Sequence, residues 1–284
     1  MASPPVEVST PQQPVKDEKY YFEKGDCTFL VQGVLLKLTR FQLSRDPQSF
    51  FAVLFADANG DASEVIELDD SVEDFRALCW AIYSGPIEMY NACTVPSTVE
   101  VKTYLRVIDI AHKYVLPEYE TWAWLMSRGS GSALDDHLRG CSEAELEHML
   151  DLSVRCESSV PDLVNLVEAT WVACARNGSV SCERALTVGN THNRRQIQAA
   201  AYLHLHNQLV NGDDVPTADG DFSYLGLSKP HLRRLLFGHA KMSSYHISAV
   251  GSHMRKKSRV YVEDTQLEYE ARFFLEPRVD DFLL

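Results

Sequence analysis

Apolar and polar positions alternate along the first half of the chain in a pattern that predicts a small sheet. Two short runs rich in β-branched and aromatic residues, Cys27–Val31 and Val34–Leu38, predict strands. Gln32 and Gly33 stand between them, and such a pair between two strands is typical of a hairpin turn. Val65–Leu68 predicts a third strand.

Helix signals are interleaved with these strands. The start signal Ser-Arg-Asp-Pro predicts a helix over residues 47–55, with Phe50, Val53 and Leu54 on one face. Ser71, with Asp74 three residues later, matches a capping box that opens a longer helix. That helix carries an apolar stripe at i, i+3, i+4, i+7 and i+8, formed by Phe75, Leu78, Cys79, Ile82 and Tyr83.

Two further helices are predicted between the Gly85-Pro86 break and residue 130. One starts at the cap residue Ser97, and its apolar stripe comprises Tyr104, Val107, Ile108, Ala111 and Val115. The other opens at Pro117, carries Trp122 and Leu125, and stops at Gly129.

Strand signals fade after the Gly-Ser-Gly-Ser stretch at residues 129–132, and only helices are predicted beyond it. Their starts are Ser142, Pro161 and Ser228, with two more helices over residues 181–188 and 191–210. The chain is therefore predicted to have four segments. These are a disordered tail over residues 1–18, a domain over 19–130, an all-α region over 131–250 and a C-terminal tail over 251–284.

Composition narrows the classes of function. The 284 residues are 45% hydrophobic, which is ordinary for a globular protein, and the formal net charge of −13 predicts an acidic surface. Such a surface repels phosphate backbones and anionic lipids. We therefore do not expect the protein as a whole to bind nucleic acid, and we expect no membrane partner. Seven scattered cysteines and no secretory signal predict reduced thiols and an intracellular location, cytoplasmic, nuclear or both.

No catalytic, cofactor-binding or metal-binding residues are predicted. The chain has no Gly-x-Ser-x-Gly motif, no phosphate-binding glycine loop and no dinucleotide fingerprint. Cys174 and Cys182, with His192, His204 and His206, leave a zinc site open, but core cysteines and surface histidines are the favoured interpretation. The basic cluster at residues 255–259 is either a nuclear-import signal or phosphate contact, or part of a tail whose charges neutralise one another.

The order of the elements and certain residues resemble the BTB/POZ family. An acidic residue precedes the first strand, Gly follows it, and a basic residue precedes the first helix. A Phe-x-x-Leu-x-x-x-x-Tyr-Ser-Gly helix and an Ala-x-Lys-Tyr-x-x-Pro helix end come later. The positions that carry the resemblance are Asp26, Gly33, Arg40, Phe50, Leu68, Phe75, Leu78, Tyr83, Gly85, Ala111, Tyr114 and Pro117.

The resemblance covers residues 20–128, and the whole chain is similar to fungal BTB proteins with a helical C-terminal half. It implies an α+β fold: a BTB/POZ domain, in which helices flank a small sheet, followed by an all-α region. The sequence departs from the family at Thr39, where His is usual, and at Pro47, where Ser is usual. The short segment before the first predicted strand also argues against a dimer that exchanges N-terminal elements.

The function that the resemblance implies is that of a non-enzymatic adaptor or scaffold, whose partner is another protein or a second copy of itself. One alternative is a substrate receptor of a cullin-3-type ubiquitin ligase. The stretch aligned with the family's cullin-3 motif, Thr103-Tyr104-Leu105, lacks the acidic residue, so the usual motif is not matched. A second alternative, which rests on the cluster at residues 255–259, is a nuclear transcriptional regulator.

Overall fold

The computed structural model describes residues 13–57, 65–95, 100–129, 132–211 and 222–252, and these form a mixed α+β structure. The chain divides into two compact units. The first comprises residues 1–137 with 158–160, and the second comprises residues 138–157 with 161–284. The division therefore falls inside helix α7 (Ala133–Gly140) and not at the Gly-Ser stretch that marks the predicted boundary. Ser130 and Gly131 of that stretch lie outside the described residues.

The first unit contains a four-stranded sheet with the order β1-β3-β2-β4. Strands β2 (Cys27–Val31) and β3 (Val34–Leu38) form the predicted hairpin, with Phe29 opposite Leu36. Gln32 and Gly33 both have positive φ, 46° and 80°, as a two-residue turn of the right twist requires. Strand β4 (Val65–Leu68) is parallel to β2, as the helices between them allow.

Strand β1 (Val15–Tyr21) corrects the prediction of a disordered tail over residues 1–18, because residues 15–18 belong to the sheet. It pairs in parallel with β3, with Val15 opposite Val34. The sequence Val-Lys-Asp-Glu-Lys-Tyr-Tyr does not show the alternation of apolar and polar residues that predicts a strand. Its buried residues are one aspartate, Asp17, and one tyrosine, Tyr20. Residues 1–12 lie outside the described residues.

A buried carboxylate attaches β1 to the rest of the unit. One oxygen of Asp17 accepts hydrogen bonds from the backbone N–H groups of Lys19 and Tyr20, at 2.9 and 2.8 Å. The other accepts from Nε of Arg76 in helix α3 at 2.7 Å. Burial alone would raise the pKa of Asp17, but these bonds and the charge of Arg76 outweigh it and lower the pKa below its ordinary value.

The helices of the first unit follow the prediction in part. After α1 (Arg40–Leu43) come α2 (Phe50–Asp57), α3 (Val72–Tyr83), α4 (Pro86–Thr94), α5 (Val101–Lys113) and α6 (Pro117–Gly129). Helix α3 begins after Ser71, whose hydroxyl accepts from the N–H of Asp74 at 3.1 Å, which confirms the predicted cap. Helix α4 was not predicted: Gly85-Pro86 ends α3 but also opens α4, since Glu88 accepts from the N–H of Gly85.

Several predicted buried faces were wrong. Helix α2 begins at Phe50 and not at residue 47, so Phe51 is buried while Phe50 and Val53 are 42% and 56% exposed. Helix α5 begins after Glu100, and Ser97 lies outside the described residues. Val115 of the predicted apolar stripe is exposed, because it follows the end of α5 with φ 58°. Helix α6 buries Ala123 and Trp124, and its Leu125 is exposed.

The second unit consists of packed helices over the described residues, as predicted. They are α8 (Glu143–Arg155), α9 (Pro161–Asn177), α10 (Cys182–Thr191), α11 (Arg195–Asn211) and α12 (Lys229–Ser252). Trp171 of α9 is fully buried, and its indole N–H donates to the carbonyl of Leu146 in α8 at 3.2 Å. Residues 212–221 of the second unit and 253–284 of the predicted tail lie outside the described residues.

Among the helices that the structure describes, none is long and apolar enough to cross a membrane.

The Asp17 contacts predict a pH-dependent contribution to stability. Because the folded-state pKa of Asp17 lies below the unfolded value of about 3.9, its contribution is present above that value and is lost as pH falls through the folded pKa. We expect Asp17→Asn to lower the free energy of unfolding by about 1–3 kcal/mol at neutral pH. The difference from wild type should shrink below about pH 4, as measured by urea unfolding.

The matched control is Asp135→Asn, which alters an exposed aspartate of α7 and should change the free energy of unfolding little at any pH. A difference between wild type and Asp17→Asn that stays constant across the acid range would contradict the ionised pairing described for Asp17.

Candidate interaction surface

Tyr114 lies at the centre of the core of the first unit. Its ring stacks on Phe51 with the centroids 4.5 Å apart, and Phe50 and Phe75 lie 5.5 and 6.2 Å away. Its backbone carbonyl accepts from the N–H of Phe50 at 3.0 Å. Through this one residue the end of α5 therefore contacts both α2 and α3, so their relative positions depend on it.

A polar network closes this aromatic core on one side. The hydroxyl of Tyr114 donates to the carboxylate of Asp70, which lies just after β4 and is 9% exposed. Nζ of Lys113 donates to Asp70 at 2.7 Å and to Asp69 at 2.5 Å. Burial, the bond to Asp70 and the negative charges of the two aspartates all raise the pKa of Tyr114, so the phenol stays protonated and donates.

A second polar group joins the sheet to the end of α3. The hydroxyl of Tyr83 accepts from the backbone N–H of Thr39 at 3.1 Å and donates to its carbonyl at 3.2 Å. Asp26 accepts from the N–H of Arg40 at 2.7 Å, and the Arg40 guanidinium lies over the ring of Phe55 at 5.3 Å. Both contacts involve the backbone of Thr39, so they do not depend on which side chain stands at this position.

Most of the twelve positions of the predicted signature occupy turns, helix starts and the core of the first unit, whereas Phe50 is 42% exposed on α2. Gly33 is in the hairpin turn, Gly85 is the N-cap of α4 and Pro117 is the first residue of α6. Leu68 packs against the core from the end of β4. The fully or almost fully buried members are Phe75, Leu78, Ala111 and Tyr114. Their roles are structural, so a surface must supply any binding site.

A groove of about 710 Å³ lies on the surface of the first unit. One wall is formed by residues 42–48, at the end of α1 and in the loop that follows. The other walls are the end of α3, at Ala81 and Ile82, and residues 116–122 at the start of α6. Met89 of α4 completes the lining. The groove volume falls in the range of pockets that bind ligands, about 300–1,000 Å³.

The lining of the groove combines apolar surface with charges at its edge. Trp122 is half-buried, and its ring packs against Trp80 and Tyr104 at 5.6 and 5.9 Å, which fixes its position. Burial raises the pKa of Tyr119, and the charge of Arg45 opposes that rise. Arg45, Asp46 and Glu118 contribute charges of both signs. Buried aromatic anchors with a polar edge are the usual composition of a protein-binding surface.

The groove residues include no serine, cysteine, histidine or lysine. The ionisable groups of the lining are those of Arg45, Asp46, Glu118 and Tyr119. Sequence reasoning missed the groove because its walls come from three segments far apart in the chain. Helix α4, which was not predicted, supplies the lining residue Met89. Of the other lining residues, Pro117 was predicted as a helix start.

Two of the histidines considered for a zinc site in the second unit, His204 and His192, make other contacts. Nδ1 of His204 contacts the carbonyl of Arg176 at 2.8 Å, and its other ring nitrogen contacts Gln208 at 3.1 Å. Nε2 of His192 lies 3.0 Å from Asp151. Cys174 and Cys182 are partly buried free thiols, and burial raises the pKa of Cys182 to about 11.

No family model, no curated protein and no solved structure matches this chain.

The polar network predicts a specific cost for losing one hydroxyl group. Tyr114→Phe keeps the ring stacked on Phe51 but removes the donor to Asp70, which is left beside the core with Lys113 alone. We expect the free energy of unfolding to fall by about 1–3 kcal/mol, measured by urea denaturation at neutral pH.

The control is Tyr90→Phe, because Tyr90 is 67% exposed on α4. That variant should stay within about 0.5 kcal/mol of wild type. A Tyr114→Phe variant as stable as the Tyr90→Phe variant would mean that the Asp70 bond contributes nothing.

Proposed function

We propose that the chain is a non-enzymatic adaptor that binds proteins through a BTB/POZ-type domain in its first unit. The observation that carries the proposal is the convergence of the signature positions. They are spread from Asp26 to Pro117 in the sequence, and in the fold they supply the hairpin turn, the helix starts and the aromatic core around Tyr114. This arrangement supports the proposal.

The groove gives this proposal a binding surface. It combines the fixed Trp122 ring with half-buried aliphatic groups at Ile82 and Met89 and with charges at the edge. Ile87 and Tyr90, 76% and 67% exposed on α4, add apolar surface beside Met89 in the sequence of that helix. Contiguous exposed apolar patches are typical of protein-binding surfaces.

The partner in this proposal is a different protein, and β1 is the reason. In dimers that exchange N-terminal elements the first strand pairs with the other copy, whereas here β1 pairs with β3 of its own chain and Asp17 attaches it to α3. The side chains of Tyr104 and Leu105, in the stretch aligned with the cullin-3 motif, are buried, so they give no support to a cullin-3 receptor.

The experiment is a comparison of two aspartate substitutions. Proteins captured from a cell extract by the full chain are quantified against those captured by Met89→Asp, inside the groove, and by Val53→Asp, on the exposed face of α2. We expect at least one saturable partner to be lost, by tenfold or more, from the Met89→Asp variant only. Such a loss corresponds to about 1.4 kcal/mol of binding free energy.

Circular dichroism and the unfolding midpoint establish that both variants are folded. A partner lost equally from both variants, or from neither, would contradict the groove as the binding site. A chain that captures no saturable partner would contradict the adaptor function itself.

A further inference from the structure

The charge of the chain is distributed very unevenly. Residues 222–262 contain no aspartate or glutamate and eight basic residues, so this stretch carries +8. The whole chain carries −13, and the remainder therefore carries −21. The negative net charge of the whole chain disfavours a polyanionic partner, but this stretch is positively charged and is not covered by that argument. The basic residues are Lys229, Arg233, Arg234, Lys241, Arg255, Lys256, Lys257 and Arg259.

Helix α12 places the first four of these cations on one exposed face. At about 100° per residue, Lys229, Arg233, Lys241 and Arg234 fall within an arc of about 140°. All four are exposed, whereas Leu235 and Met242, on the opposite face, are 0% and 4% exposed. The outer face of α12 is therefore cationic over about 18 Å, the length from Lys229 to Lys241.

These cations are not neutralised locally. Within the part of the chain that the structure describes, no carboxylate forms an ion pair with any of the four, although the guanidinium of Arg234 hydrogen-bonds the buried hydroxyl of Tyr202. The nearest acidic contact to the start of α12 is Glu183, which binds the N–H of Ser228 and the ring of His231 instead. Like charges four residues apart, such as Lys229 and Arg233, destabilise a helix. A role in binding an anionic partner would explain why they occur here.

An aromatic ring lies between the cations. Phe237 is half-buried at i+4 from Arg233, and Nζ of Lys241 lies 4.9 Å from its ring centroid. Cations that follow a strand of phosphates, with an aromatic face on which a base can stack, are the chemistry by which proteins bind single-stranded nucleic acid. An anionic membrane fits less well, because Leu235 and Met242, on the opposite face of α12, are buried and cannot insert.

From this arrangement we infer that the outer face of α12 binds single-stranded nucleic acid. Lys229, Arg233 and Lys241 contact phosphates, and a base stacks on Phe237 in place of the Lys241 ammonium group. The sequence dependence is weak, because the face offers charge and stacking but few acceptors or amide groups that could read base edges. This activity is separate from the protein-binding groove of the first unit.

The test is fluorescence anisotropy of the full chain with labelled oligothymidylate and oligouridylate, each of about 12 nucleotides. We expect saturable binding that weakens about 20-fold between about 50 and 200 mM KCl, because three phosphates are neutralised. A duplex of the same length should bind at least about fivefold more weakly, since its bases cannot stack on Phe237.

Two variants assign the binding to α12. In the first, Lys229→Gln, Arg233→Gln and Lys241→Gln are combined, and affinity at low salt should fall tenfold or more with a flatter salt dependence. The second, Phe237→Leu, keeps an apolar side chain but removes the aromatic face and should weaken single-strand binding about fivefold or more. The charge-matched control combines Lys24→Gln, Lys102→Gln and Arg195→Gln, three exposed cations elsewhere, and should bind like wild type.

Circular dichroism and unfolding midpoints confirm that each variant is folded. The inference is overturned if neither oligonucleotide binds, or if the α12 triple variant binds as wild type does. It is equally overturned if a duplex, a polyglutamate peptide or phosphatidylserine vesicles bind as tightly as the single strands, because the site would then recognise negative charge alone.

Discussion

The hydrogen bond between the Tyr114 hydroxyl and Asp70 is the contact on which the first unit most depends. It places an anion against an aromatic core, where an unpaired carboxylate would be costly. The bond fixes the ring that Phe50, Phe51 and Phe75 pack against, and thereby joins α2, α3 and α5 beside the end of β4. The groove walls follow, because Leu116 and α6 continue directly from Tyr114.

Two polar attachments, one of them an ion pair, extend this arrangement to the edge of the sheet. Asp17 anchors β1 to Arg76 of α3, and Tyr83 at the other end of α3 holds the backbone of Thr39. Helix α3 is thus tied to both β1 and the segment that follows β3. A rigid α3 matters for the proposed function because its last turn, at Ala81 and Ile82, forms one wall of the groove.

The sequence predicts the elements of this fold better than their surfaces. The β2–β3 hairpin, strand β4 and the Ser71 cap follow from local signals, since turn, pattern and capping chemistry act over a few residues. Strand β1 was not predicted because it lacks apolar alternation. It is held instead by the salt bridge between Asp17 and Arg76, two residues that are 59 positions apart in the chain. The buried face of α2 shifts from Phe50 to Phe51 because the helix begins at Phe50, and the ring of Phe51 stacks on Tyr114. The groove and the α12 face need three-dimensional placement, although the acid-free stretch that contains α12 is visible in the sequence.

The central claim, that the first unit binds a protein in its groove, is tested most directly by hydrogen–deuterium exchange. The full chain is measured alone and saturated with a captured partner. We expect the partner to slow amide exchange in peptides covering residues 42–48 and 116–122, while exchange in the core strands β2 and β3 stays unchanged. Protection confined to α8–α12, with the two groove segments exchanging as in the free chain, would contradict the account.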